Sequence, residues 1–441
     1  MNRFNLILII AFLAMNGLYG QGKDTTKTES KVELKVVYEK TFDEPIVDVI
    51  FDTATVSIDE AKNMGWKDEA FKQEDKAKGK VLVSYPKVVL TSQGRELSWL
   101  PDGRRNSYYA KDLRFYDHNG KMINSLVLKK YGEEHIYFSP QRKYILVSRR
   151  PTEWNPSYTG GTLYYLDGKK IWEIEGPTLI AVSDEGYAIG AYLDWQVPPE
   201  PGGDFYVYDS KGKLITTIEN PAKDKVSPLY AEFSKDGEYV LLTFVKEAAT
   251  PTIFLLTTKA GNILWEKEML EAHYTRVVGE IDILSNKGIL GCIYKGRLYA
   301  FFLNWTSNLR WTAPLTGSGY GSCVLSQDGE RAYISSSRGY LWCLNTITGD
   351  IIWMHKEPWS PPIDSKRRTP NTPEFIEIYV ESKNIIVNGT YKIFLFDSEI
   401  GTLKTVIEYP DKKIFLSLHN GIIFVIDATN NKVEGLKIKE E

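Results

Sequence analysis

Cysteine is nearly missing from this sequence. The three that occur, Cys292, Cys323 and Cys343, are an odd number with no CxxC or Cys/His spacing, which excludes a disulfide framework and a zinc ribbon. Cys323 and Cys343 stand in apolar runs and read as small buried side chains. Histidine is also sparse: His118, His135, His273, His355 and His419 are scattered with no pair at ligand spacing, so neither a metal nor a cofactor is expected. HExxH, GxxxxGK[ST] and GxSxG are all absent, which removes the best-marked hydrolase and nucleotide-binding chemistries. Charge of one sign is missing too. Lys and Arg number 54 against 57 Asp and Glu, for a net charge of -3, so there is no basic field to hold nucleic-acid phosphates.

Long hydrophobic runs are absent except at the start. Residues 6–15 are almost wholly apolar, with Arg3 ahead of them and Gly17 and Gly20 behind. The run is short for a membrane span and fits a secretory signal peptide over 1–20, with an N-terminal membrane anchor as the alternative; a signal peptide implies a secreted or periplasmic protein. No Cys follows to accept a lipid, and no transmembrane segment is expected after cleavage. Residues 21–33 read as a polar tail and 34–441 as a single domain.

What the chain has in quantity is aromatic side chains, 13% of residues with 11 Trp and 27 Tyr, and an internal repeat. Gly-x-apolar-apolar-Trp occurs at 261–265 and 349–353, with close relatives at 168–172 and 307–311. Frames at 120–124, 212–216 and 401–405 keep the spacing without the Trp. The mean interval is about 47 residues, the size of a propeller blade. Ser-x-Asp-Gly and related turns recur between short apolar runs, and each unit resolves into four strands. A lone four-stranded sheet leaves two faces and two edges uncovered, so such units stack into a ring.

The expected fold is therefore an all-β β-propeller of four-stranded blades. Three strand-like runs near 414–418, 422–426 and 433–438 lack a fourth, which 36–42 supplies. Closing the ring with N- and C-terminal strands favours eight blades over seven. The charged segment 57–80, with Met64, Trp66, Ala70 and Phe71, reads as a small helical insertion in the first blade.

The run Gly-Tyr-Leu-Trp-Cys-Leu-Asn-Thr-Ile-Thr-Gly-Asp-Ile-Ile-Trp at 339–353 resembles the repeat of the pyrroloquinoline-quinone-like propeller superfamily, and the Ser-x-Asp-Gly turns resemble those of WD40-like propellers. The resemblance implies a fold and, for many members, a scaffold or binding role. The quinone dehydrogenases of that superfamily often carry adjacent cysteines, and no Cys-Cys pair occurs here.

In a propeller, the connections between strands one and two and between three and four share one end. Those between strands two and three and between blades share the other. The long connections, 93–111, 149–161, 194–204 and 359–372, all fall at the second end. They bring Trp99, Trp154, Trp195 and Trp359 with the basic residues Arg104, Arg105, Arg149, Arg150, Arg367 and Arg368. Exposed Trp and Arg are frequent interface anchors, and flat aromatic faces suit sugar rings. The expected role is a non-enzymatic binding or assembly scaffold for a protein, peptide or glycan. The alternative is a secreted glycoside hydrolase or polysaccharide lyase with carboxylates converging at the channel mouth.

Overall fold

The computed structural model describes most of residues 34–438. Outside it lie 1–33, 92–106, 129–133, 150–156, 193–202, 222–226, 246–251, 270–281, 304–308, 316–322, 357–376, 410–413 and 439–441, with shorter gaps between. The described residues are all-β, in seven four-stranded antiparallel sheets and one five-stranded sheet, numbered here 1 to 8 along the chain. Sheet 1 holds Ile46–Ser57, Lys80–Thr91, Asp112–Tyr116 and Met122–Val127. Sheet 2 runs from Glu134–Phe138 to Lys170–Ile174 and adds the two-residue strand Ser107–Tyr108. Sheets 3 to 7 begin at Thr178–Val182, Ser227–Phe233, Asp282–Leu284, Cys323–Leu325 and Glu377–Glu381. Sheet 8 contains Ile414–His419, Ile422–Asp427 and Lys432–Ile438, and its outer strand is Leu34–Thr41, so the first and last described strands pair antiparallel.

The inner strands are buried along nearly their whole length, not on alternate residues, because both faces of a sheet are covered there, whereas outer strands such as Met122–Val127 are largely exposed. In sheet 6, Cys323, Leu325, Ile334 and Trp342 pack against Ala313 and Leu315 of sheet 5. The alternate residues Val324, Tyr333, Leu341 and Cys343 pack against Ile378, Ile385 and Phe394 of sheet 7. Equivalent cores lie between sheets 1 and 2, 2 and 3, 3 and 4, and 7 and 8. Phe51 of sheet 1 stacks on Phe424 of sheet 8 with centroids 3.8 Å apart, so the last sheet also covers the first.

The turns at one end are satisfied by their own side chains. Ser139, Ser183, Ser234 and Ser326 turn their hydroxyls back onto main-chain N–H groups four or five residues ahead. Between third and fourth strands, Asp117, Asp167, Asp209 and Asp397 each accept from N–H groups two to four residues on. Such Asx and Ser turns replace the hydrogen bonds that the backbone loses on reversing direction.

The geometry also explains the Gly-x-x-x-Trp repeat. The glycine closes the turn in a left-handed conformation, at φ +80° for Gly168, +79° for Gly212, +86° for Gly261 and +70° for Gly401. The fifth residue of the preceding frame packs against it across the joint. A Cβ on Gly212 would stand 3.0 Å from the Trp172 ring, one on Gly401 2.4 Å from Trp353, and one on Gly261 2.4 Å from Thr216. Asn124 meets Gly168 in the same way and donates to its carbonyl at 3.3 Å. The motif is therefore a latch between successive sheets, with the glycine and its partner contributed by different repeats.

Residues between the first two strands of sheet 1 form helix α1 (Ile58–Asn63), a 3-10 turn (Asp68–Ala70) and helix α2 (Gln73–Lys78). Ser57 and Glu60 cap α1 reciprocally. The segment covers the outer edge of Leu34–Thr41: Glu39 N–H donates to the Gly65 carbonyl and Lys67 N–H to that of Val37. Trp66 is pressed against Tyr38, with centroids 5.2 Å apart, and its indole N–H donates to the Ser84 carbonyl at 3.0 Å.

Candidate functional site

Of the anticipated recognition residues, the structure describes Arg149. Trp99, Arg104, Arg105, Arg150, Trp154, Trp195, Trp359, Arg367 and Arg368 lie outside the described residues. Arg149 ends the second strand of sheet 2 and reaches across to the outermost one. Its Nη1 donates to Glu173 Oε1 at 2.5 Å, its Nη2 to the Ile174 carbonyl at 2.6 Å and its Nε to the Thr159 carbonyl at 3.1 Å. The hydrogen bond from Arg149 first, and that from Lys170 second, hold the Glu173 carboxyl below its ordinary range. The guanidinium thus ties the strand edge, a use that the basic-pair pattern in the sequence does not reveal.

The buried carboxylates have structural partners. Asp184 accepts from Gln141 N–H through both oxygens, joining sheets 2 and 3. Asp112 meets the Thr91 hydroxyl and lies 3.4 Å from Arg114. Asp427 holds a turn. Cys323 and Cys343 are buried free thiols on opposite faces of sheet 6, which keeps them apart; burial pushes the Cys343 thiol up to about 12, out of reach of thiolate chemistry. Among the described residues no group of three His, Cys, Asp or Glu could hold a metal ion.

One site has no counterpart in the sequence reading. At the joint of sheets 8 and 1 an open cleft of about 200 Å³ is lined by the polar side chains of Glu39, Lys40, Asn63, Asp117, His118 and Asn119 together with Met64, Tyr85 and Pro86. The Lys40 ammonium lies 5.7 Å from the centroid of Phe42 and 5.9 Å from that of Tyr116, and a Cβ on Gly120 would stand 3.2 Å from it. Among the described residues it has no carboxylate or hydrogen-bond acceptor, and burial lowers its pKa. Glu39 is shared by Lys432 at 3.2 Å and Lys67 at 3.7 Å. Asp117 Oδ1 is occupied by two turn N–H groups at 2.9 and 3.0 Å. Burial first and Asp52 second raise the Tyr85 phenol to about 12; its hydroxyl donates to Asp52 Oδ2 at 3.2 Å. The side-chain amides of Asn63 and Asn119 face no partner.

No protein-family model matches the chain. No curated protein matches it in sequence. Likeness appears at the level of structure, where 1346 solved chains match. The crystal structure of BamB from Moraxella catarrhalis is 14% identical, with 80% of this chain and 97% of that chain covered at a TM-score of 0.49. The computationally designed Ika8 protein is 11% identical, with 80% and 93% covered at a TM-score of 0.51. At these identities the likeness concerns the fold alone, and an architecture so widely shared identifies no activity.

Proposed function

We propose that this chain is an exported, non-enzymatic binding or assembly propeller, and that its eight sheets are the blades of a ring closed by pairing of the chain ends. Recognition falls to the end opposite the tight turns, through Trp99, Trp154, Trp195 and Trp359 with their neighbouring arginines, and its target is a protein, peptide or glycan outside the cytoplasm. One observation carries the reading: apart from the helical insertion 58–79 between the first two strands of sheet 1, the long connections gather at one end. At the turn end, every described connection between third and fourth strands in sheets 1 to 4, 6 and 7 is a tight, self-satisfied reversal. The chain spends its long segments at the other end, between Thr91 and Asp112, Arg149 and Gly160, Ala191 and Phe205, and Lys356 and Glu377. A scaffold that enlarges one end well beyond the other concentrates variable surface where a partner can reach it.

Buried carboxylates engaged in structural contacts favour binding over carboxylate catalysis. The test is the double variant Trp154→Ala with Trp195→Ala, compared with wild type for thermal midpoint and for crosslinked partners or glycans captured from envelope extract. The expected result is an unchanged midpoint with the captured species lost. A double variant that unfolds would make these residues structural, and depolymerisation of a polysaccharide by the wild-type chain would replace this reading with the enzymatic one.

A further inference from the structure

We infer that the cleft at the joint of sheets 8 and 1 binds a small monoanion, a carboxylate carried on a hydroxylated ring, and that Lys40 receives the carboxylate. The reading does not depend on the function proposed for the long-loop end.

The first support is a departure from the repeat. At the joints of sheets 2 and 3 and of 6 and 7, a tryptophan plugs the space against the next sheet's glycine. At the joint of sheets 8 and 1, the atom that approaches the corresponding Gly120 is the Lys40 ammonium, and the space beside it is open. Lys40 is half-buried, and partly withdrawing an ammonium from water without a carboxylate is unfavourable; the rings of Phe42 and Tyr116 offset only part of that cost. A ligand carboxylate would complete the pairing.

The lining selects the rest of the ligand. A phosphate dianion would bring a second negative charge against Glu39 and Asp117 with one free ammonium to meet it. A monoanion avoids that repulsion, and hydroxyl groups on its ring can donate to those same carboxylates. The amides of Asn63 and Asn119 both donate and accept, which matches hydroxyls. Met64, Pro86 and the Tyr85 ring offer an apolar wall to the C–H face of a sugar. A volume of about 200 Å³ suits one monosaccharide unit, not a polymer chain. This combination describes a uronate.

The experiment titrates the full chain with sodium glucuronate, glucose and inorganic phosphate at constant ionic strength, following protein NMR shifts and saturation transfer to ligand. The expected result is glucuronate binding near ~1 mM, at least ~10-fold tighter than glucose or phosphate. Lys40→Met should weaken glucuronate ~10-fold, Lys40→Arg should restore most of the affinity, and Asn119→Ala, at an exposed turn, should weaken it several-fold while leaving the fold intact. Should Lys40→Met fail to fold, the wild-type selectivity and Asn119→Ala decide. Equal binding of glucuronate and glucose, tighter binding of phosphate, or no saturation by ~20 mM glucuronate would each overturn the inference.

Discussion

The joint between sheets 2 and 3 and the joint between sheets 8 and 1 solve the same packing problem differently. In the first, Trp172 lies against Gly212, and its indole N–H donates to the Ser210 carbonyl at 3.2 Å. The joint is filled and its polar atom is satisfied. In the second, the space is shared by Tyr38, Trp66, Phe51 and Phe424; the buried Tyr38 hydroxyl and His419 Nε2 lack hydrogen-bond partners, and the half-buried Lys40 has no carboxylate partner among the described residues. The difference follows from connectivity. An ordinary joint lies between two consecutive repeats and reuses the latch. The joint of sheets 8 and 1 brings together residues from opposite ends of the chain, so its contacts are unique: Lys40 stands at the latch position and the helical segment packs beside it.

The largest effects are expected where the latch is filled. Trp353→Ala empties a buried site between sheets 6 and 7 and should cost about 3–5 kcal/mol in chemical denaturation. The glycine side can be graded. Gly401→Ala meets both a left-handed backbone and the Trp353 ring at 2.4 Å, so about 2–5 kcal/mol is expected. Gly120→Ala meets the end of a flexible lysine and should cost about 1–2 kcal/mol, chiefly for its φ of +78°. Gly421→Ala, with φ +70° and nothing within 4 Å, should cost about 1 kcal/mol. Denaturation midpoints that fail to fall in that order would break the latch interpretation, because backbone strain alone makes the three glycines equal.

This grading also shows what could be read from the residues. The repeat was visible because each latch needs a glycine for its turn and a large or well-shaped side chain one repeat earlier, and such demands leave a period in the sequence. The terminal strands were visible because apolar runs at 36–42 and 433–438 completed a count of four; they pair from Leu34 to Thr41 and Lys432 to Ile438. The cleft was not visible. Lys40 is one of many lysines, and its distinction lies in what surrounds it, rings from Phe42 and Tyr116 and a turn that arrives from another sheet. Arg149 illustrates the reverse: its neighbour Arg150 marked it as half of a basic pair, whereas its hydrogen bonds to Glu173, Ile174 and Thr159 make it a strap within the sheet.

A smaller effect should appear in the pH dependence of the joint of sheets 8 and 1. Burial lowers the pKa of His419 from 6.5; Asp52 opposes the shift and Arg142 adds to it. The unfolded chain therefore binds a proton to this imidazole at a pH where the folded chain does not. Stability contributed by the neutral ring is present above the ordinary value near 6.5 and declines as pH falls below it, by at most about 1.4 kcal/mol per unit. His419→Gln should flatten denaturation midpoints measured from pH 7 to 5. An equally steep decline in the variant would assign the acid sensitivity elsewhere.

The smallest effect on stability is expected from Lys40→Met, and its smallness is the point. The substitution removes the attraction to two aromatic rings, about 0.5–1 kcal/mol for each at partly exposed sites, and also removes the cost of holding an unpaired ammonium partly out of water. The two contributions oppose each other, so the thermal midpoint should move by less than the equivalent of about 1 kcal/mol in either direction. A residue kept for packing behaves like Trp353 and is missed when truncated. A residue kept for a ligand can be replaced at little cost to the fold, since its favourable partner arrives only on binding. A loss of several kcal/mol for Lys40→Met would place this lysine with the latch residues and erase the contrast between the two joints.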